Sequence, residues 1–212
     1  MKLINDWYYF IGAVDEDTCE KLREARKNKF LPAQVGDEKK ITDEVRKKGR
    51  NILIGGKLDN KSRDSNVAWV NEQWVFDTIF PYMNEANEKS GWKFNITGCE
   101  TPQLTEYKKG GFYGWHIDGH SDSLSVYNMP DNKFLDKNVR KISMTLLLNE
   151  DYEGGEFQLG FFNKGKSSIS TPQFSKKGSI IFFPSFINHQ VAPVTKGVRY
   201  SLVAWFVGPP FK

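Results

Sequence analysis

Cysteine is scarce in this chain: Cys19 and Cys99 are the only two in 212 residues. They have no framework spacing, which excludes a disulfide scaffold and points to a reducing compartment. No apolar run approaches the length that crosses a bilayer as a helix. Met1-Lys2-Leu3-Ile4-Asn5-Asp6-Trp7 brings in an acid too early for a secretory signal, so a cytoplasmic protein is expected. Charge of one sign is also lacking, since 30 basic residues face 26 acidic ones for a net charge of +4. The bases at Lys39-Lys40, Arg46-Lys47-Lys48 and Arg50 alternate with Asp37, Glu38, Asp43 and Glu44, and no aromatic residue occurs from Pro32 to Ala68. A groove for single-stranded nucleic acid interleaves bases with stacking aromatics. No zinc knuckle or helix-turn-helix signature accompanies the bases. Nucleic acid is therefore the second choice of partner.

Aromatic residues are plentiful, with sixteen Phe, eight Tyr and six Trp, and hydrophobic residues make up 39% of the chain. That is enough for a substantial core, and β-rich sandwiches of this length form one domain. Asp15 stands ahead of Glu16 and Asp17, with Lys21, Arg23 and Arg26 behind them, a pattern that predicts a capped helix. The spacing of Trp74, Phe76, Ile79, Phe80 and Met83 predicts a second helix over 71–90, with Pro81 as a place for a kink. Residues 32–63 read as a long polar loop. From Trp92 onward, short apolar segments are separated by Gly, Pro, Asn and Asp. This predicts a mainly β architecture with supporting helices packed on one sheet.

Histidine is scarcer than the chain's length would suggest, at three: His116, His120 and His189. In Trp115-His116-Ile117-Asp118 an imidazole and a carboxylate stand two residues apart, so on a strand they leave from one face. A histidine from a distant strand would complete a two-His, one-carboxylate set, which leaves three positions of an octahedral ion open and is the arrangement of non-haem Fe(II) oxygenases. His189 lies where the apolar run 180–187 meets a turn, while His120 follows Gly119 and is expected in a loop. Arg199 and Ser201 alternate onto one face of an otherwise apolar strand. A buried Arg keeps its charge and needs an anion, and its fork fits a carboxylate.

Three ordered motifs carry a resemblance over 103–206, about half of the chain. They are Tyr107-Lys108-Lys109-Gly110-Gly111-Phe112-Tyr113-Gly114-Trp115-His116-Ile117-Asp118, then Arg140 to Asn149 with Tyr152-Glu153-Gly154-Gly155-Glu156-Phe157, and His189-Gln190-Val191-Ala192-Pro193-Val194 through Arg199-Tyr200-Ser201. The series resembles the prolyl 4-hydroxylase-like branch of the Fe(II)/2-oxoglutarate-dependent dioxygenases, bacterial and phage members included. The resemblance implies a double-stranded β-helix (jelly roll, cupin-like) with N-terminal helices on one sheet. Length, composition and patterning predict a single domain over 1–212, with 1–91 as helical support and loop and 92–212 as the jelly-roll catalytic core. The resemblance also implies Fe(II) on His116, Asp118 and His189, and the far carboxylate of 2-oxoglutarate on Arg199 with help from Ser201. Tyr107 would contact the end that chelates iron. O2 is the other co-substrate, with ascorbate as an optional accessory. Many relatives carry a tyrosine where this chain has Leu147, so Ser143 or Thr145 is expected to supply the hydroxyl. Relatives that modify collagen use Lys in place of Arg199.

The implied activity is hydroxylation of an unactivated C–H bond, in a prolyl or other amino-acid side chain of a peptide or protein. A nucleic-acid or small-molecule dioxygenase with the same iron centre is the alternative, and a non-catalytic jelly-roll binding protein is the third reading. No oligomeric state is assigned. Trp115 is expected in the core. The stretch 119–138 reads as a long loop that folds over the site when substrate binds, with Tyr127 and Phe134 as its apolar contacts.

Overall fold

A computed structural model of the chain describes residues 4–27, 29–36, 56–57, 61–118, 126–163 and 165–211. In chain order the elements are β1 (Tyr8–Phe10), α1 (Glu16–Glu24), β2 (Leu31–Pro32), β3 (Val35–Gly36), β4 (Gly56–Lys57), β5 (Arg63–Asp64), β6 (Asn66–Trp69), α2 (Gln73–Lys89), β7 (Gly98–Cys99), β8 (Gln103–Tyr107) and β9 (Phe112–His116). They continue with β10 (Val139–Leu147), β11 (Glu153–Gly154), β12 (Phe157–Asn163), β13 (Lys166–Ser170), β14 (Ile180–Pro184), β15 (Asn188–Val191), β16 (Val194–Lys196) and β17 (Arg199–Gly208). Most of the loop expected over 32–63, its basic segments included, lies outside the described residues, as do His120 and residues 119–125.

Two antiparallel sheets form the sandwich of a jelly roll. The large one runs β1-β14-β10-β17-β8-β6-β2, with β7 also on β17, and the small one runs β13-β12-β15-β9-β5. The large sheet is a wall between two cores, because strand side chains alternate between its faces. Leu104, Ile142, Met144, Leu146, Ile180, Phe182, Leu202, Ala204 and Phe206 point outward into a core closed by the helices. Leu147, Ile181 and Phe183 point the other way, into a core shared with Phe157, Leu159 and Val191 of the small sheet.

Both helices form where the sequence pattern places them. The Asp15 side chain accepts the Thr18 backbone N–H at 2.8 Å and so satisfies one of the free donors at the start of α1. Helix α2 buries Val75, Ile79, Met83 and Ala86. That stripe is centred slightly off the predicted one: Trp74 and Phe80 flank it and pack against the same core while partly exposed. The helix runs on through Pro81, which faces solvent. No helix among the described residues is long and apolar enough to cross a membrane.

Trp115 departs from expectation. His116 takes the inner face of β9, so the preceding Trp115 must point to the outer face of the small sheet, where it is 41% exposed. It lies against Gly160, at which a Cβ would come within 3.0 Å of the indole.

Candidate metal centre and anion pocket

His116 and His189 are register partners on the antiparallel pair β9–β15, and their rings are 4.1 Å apart. Asp118 reaches both: its Oδ1 is 3.8 Å from Nε2 of His116 and its Oδ2 is 3.5 Å from Nε2 of His189. One ligand atom from each of the three lies within 4.8 Å of the others, a group able to hold a metal ion.

Hydrogen bonds aim these side chains. Nδ1 of His116 lies 2.8 Å from the Gly114 carbonyl, and Nδ1 of His189 lies 2.9 Å from the Ile187 carbonyl. A carbonyl accepts only from N–H, so the proton sits on Nδ1 in each ring and Nε2 presents a bare lone pair to the centre. Burial, reinforced by the facing His189, lowers the pKa of His116 to about 3, so this imidazole is neutral and ligand-ready at neutral pH. Burial pushes the Asp118 carboxyl up. His189, His116, Arg140 and a hydrogen bond from Ser143 outweigh it and hold the group below the ordinary carboxylate range. The Asp118 backbone N–H donates to the Ser185 carbonyl at 3.0 Å, and the Ser143 and Ser185 hydroxyls pair at 2.9 Å.

Aromatic rings and guanidinium groups lie around these three side chains. Tyr113 stacks on His116 with ring centres 3.5 Å apart, and the Arg63 guanidinium lies 4.5 Å from the same phenol. Burial pushes the Tyr113 hydroxyl up to about 12 despite that cation. Arg63 donates from Nε to Ser65 Oγ at 2.8 Å. Arg140 donates to both oxygens of Glu100, each at 2.6 Å, and lies 4.2 Å above Trp205. The Tyr127 hydroxyl also donates to Glu100, at 2.7 Å.

Arg199 is 1% exposed on the inner face of β17 and enters no salt bridge among the described residues. Its Nη1 donates to Ser201 Oγ at 3.0 Å, while Nε and Nη2 are buried without a partner. Those two N–H groups form one edge of the guanidinium, the fork that grips a carboxylate. Tyr107 is the cross-strand partner of Arg199, Thr105 that of Ser201 on one side and Leu147 on the other. Gly155, at φ +67°, lies so close that a Cβ there would come 2.9 Å from Arg199 Cδ.

The residues expected at the centre are thus brought together, with three differences of detail. Ser143 is engaged by Ser185 beside Asp118, at the metal end rather than beside Arg199. Tyr107 stands across from Arg199, and the tyrosine stacked on a metal-site ring is Tyr113. Of the loop over 119–138, the described part is fastened down: Tyr127 is buried on Glu100, and Phe134 is 68% exposed beside Gly98. Arg63, Glu100 and Thr105 were not singled out in the sequence, and Arg140 and Gly155 stood in the resembling motifs without an assigned role. Only Thr105 left a usable signal, two residues before Tyr107 and hence on its face.

The model of the 2OG-Fe(II) oxygenase superfamily matches residues 102–207. A PKHD-type hydroxylase of Xylella fastidiosa (strain M12) is 37% identical over 107 residues, 49% of this chain and 43% of the relative. One of Stenotrophomonas maltophilia (strain R551-3) is 35% identical over 106 residues, 49% of this chain and 41% of the relative. The chain therefore spans less than half the length of these relatives. Among solved structures, a Pseudomonas putida prolyl-4-hydroxylase matches with TM-score 0.58 at 19% identity, over 95% of this chain and 91% of that one. A viral collagen prolyl hydroxylase from Paramecium Bursaria Chlorella virus-1, solved with 2OG, gives 0.59 at 21% identity over 96% and 97%. A Trichoplax adhaerens prolyl hydroxylase, in complex with a hypoxia inducible factor peptide fragment, gives 0.63 at 18% identity over 95% and 83%. At these identities the likeness is one of fold.

Proposed function

Because the chain belongs to the 2OG-Fe(II) oxygenase superfamily, we propose that it is an Fe(II)- and 2-oxoglutarate-dependent hydroxylase acting on a prolyl or other amino-acid side chain within a peptide. The observation that carries this reading is a pairing. Three ligand atoms lie within 4.8 Å of one another, and Arg199, buried with two unpartnered donors, lines the same interior. A buried cation lacking an acid is costly, and a bound carboxylate removes that cost. The two-His, one-carboxylate set suits Fe(II) with positions left open.

In this reading His116, Asp118 and His189 hold the iron, and Arg199 holds the far carboxylate of 2-oxoglutarate. Ser201 accepts from Arg199, which leaves its own proton free to point at the same carboxylate. Thr145 and Thr105 are the further hydroxyls on that face, and Leu147 supplies apolar wall. When bound, the iron and co-substrate activate O2 and deliver one oxygen atom to a C–H bond. The chain's own work is to orient the reactants and exclude water, through Phe157 and Phe183 packed on His189 at 5.7 and 4.7 Å.

The substrate class we favour is a peptide. The peptide fragment bound by the Trichoplax enzyme, which has the same fold, supports that choice. Incubating the protein with Fe(II), 2-oxoglutarate and a library of proline-containing peptides should yield succinate and peptides heavier by one oxygen. Oxygen gained by an oligonucleotide and by no peptide would overturn the substrate class.

A further inference from the structure

Two of the candidate metal ligands depend on one turn. Residues 185–187 join β14 to β15, and the Ile187 N–H closes the turn on the Pro184 carbonyl at 2.9 Å. Within it, the Ser185 carbonyl accepts the backbone N–H of Asp118 at 3.0 Å, and the Ile187 carbonyl accepts from the His189 ring at 2.9 Å. A shift of this turn would therefore re-aim a carboxylate and an imidazole together.

The tip of the turn points away from the site. Phe186, 38% exposed, meets the edge of Phe211 with ring centres 5.9 Å apart. Phe211 also packs edge-on against Phe94 at 5.2 Å, and its face covers the Lys141 ammonium at 3.4 Å. Lys141 is 4% exposed and forms no salt bridge among the described residues. With no carboxylate beside it among the described residues, its charge is met by ring faces, an attraction that strengthens as water is removed. The Lys141 carbonyl in turn accepts the Ser185 N–H at 3.0 Å. Lys141 therefore holds the turn twice, directly through its backbone and indirectly through Phe211 and Phe186.

We infer that Lys141, Phe211 and Phe186 form a clasp of positioning residues that sets the aim of Asp118 and His189, and with it the affinity for metal. The clasp rests on the reading of His116, Asp118 and His189 as metal ligands. Groups that orient ligands from outside the coordination sphere change metal affinity by about 10- to 100-fold when removed.

The test is a titration of the whole metal-free protein with Co(II), read by its visible absorption, beside a thermal melt without metal. Phe211→Ala should weaken Co(II) binding by about tenfold and alter the absorption of the bound ion. Phe211→Tyr, which keeps the ring face, should restore both. Lys141→Met should weaken binding similarly and add little to Phe211→Ala, since each cuts the same link. Should Phe211→Ala fail to fold in the melt, Phe186→Leu makes the same test with a smaller change. Parent-like affinity and spectrum in Phe211→Ala, or in Phe186→Leu if that variant stands in, would overturn the clasp. Equal Co(II) binding by the parent and His116→Ala is a different result: it removes the metal-site reading itself, and the clasp with it.

Discussion

Tyr107 and Arg199 stand directly opposite each other on neighbouring antiparallel strands, the guanidinium carbon 5.5 Å from the centre of the phenol ring. The ring shields a cation that has no acid beside it among the described residues, and Ser201 takes up one of its donors. What remains is a buried fork of two N–H groups.

Removing that fork should cost co-substrate binding first. Arg199→Ala is expected to raise the Kd for 2-oxoglutarate by at least about 30-fold, or about 2 kcal/mol, the lower end for truncating one side of a buried charge pair. Arg199→Lys should fall between, keeping a charge and losing the planar fork. Calorimetric titration of the metal-loaded protein measures both; an unchanged Kd in Arg199→Ala would refute the pocket assignment.

Gly155 is the neighbour of Arg199 most sensitive to an added methyl group. Its φ of +67° is the left-handed region, and a Cβ would approach Arg199 Cδ to 2.9 Å and Val194 Cγ2 to 3.1 Å. Gly155→Ala should lower stability by about 1–3 kcal/mol through backbone strain and weaken 2-oxoglutarate binding by displacing the arginine. Denaturant unfolding and the same titration would read the two effects separately.

Asp118 should matter more to metal than to folding. Asp118→Asn keeps the shape and the hydrogen bond of the backbone to Ser185 while removing the charge. Co(II) affinity and 2-oxoglutarate turnover should both collapse, with the circular dichroism spectrum unchanged. Retention of parent-like metal affinity would count against the three-residue centre.

The Glu100–Arg140 pair calls for opposite behaviour. Both side chains are largely buried, at 12% and 17% exposure. Burial works against the Arg140 charge, yet Glu100 keeps its pKa raised. Glu100→Ala leaves that charge uncompensated and should cost about 3–5 kcal/mol of stability. Tyr127→Phe removes only a hydrogen bond to a charged acceptor, worth about 1.5–3 kcal/mol. Unfolding midpoints that fail to fall in this order would show that the pair is not the anchor of the 126–138 segment.

Both thiols should be inert until the chain unfolds. Burial pushes Cys19 up to about 11 and moves Cys99 in the same direction. At pH 8 the folded protein should resist iodoacetamide, while the denatured protein takes up two labels; mass spectrometry counts them.

The helices and the two-sheet sandwich were legible because periodicity and capping are local signals: Asp15 and the apolar spacing in α2 needed no knowledge of the remainder. The grouping of His116, Asp118 and His189 was legible for a different reason, since His116 and Asp118 share a strand face and histidine is too scarce to leave many third partners. The Glu100–Arg140 contact joins residues forty apart by sequence through strands whose register depends on the whole sheet. Nothing local marks it. Trp115 failed because an aromatic residue beside a ligand suggests core, whereas alternation sends it to the opposite face once His116 points inward.

That same alternation in the large sheet has an evolutionary corollary. On β10 and β17, side chains at 142, 144, 146, 202, 204 and 206 belong to the core beneath the helices, while 143, 145, 147, 199 and 201 line the pocket. Neighbouring codons therefore answer to different selective demands. A lineage could repack the even positions while the odd ones keep their hold on co-substrate and metal, so scaffold and pocket can drift at separate rates within a single strand.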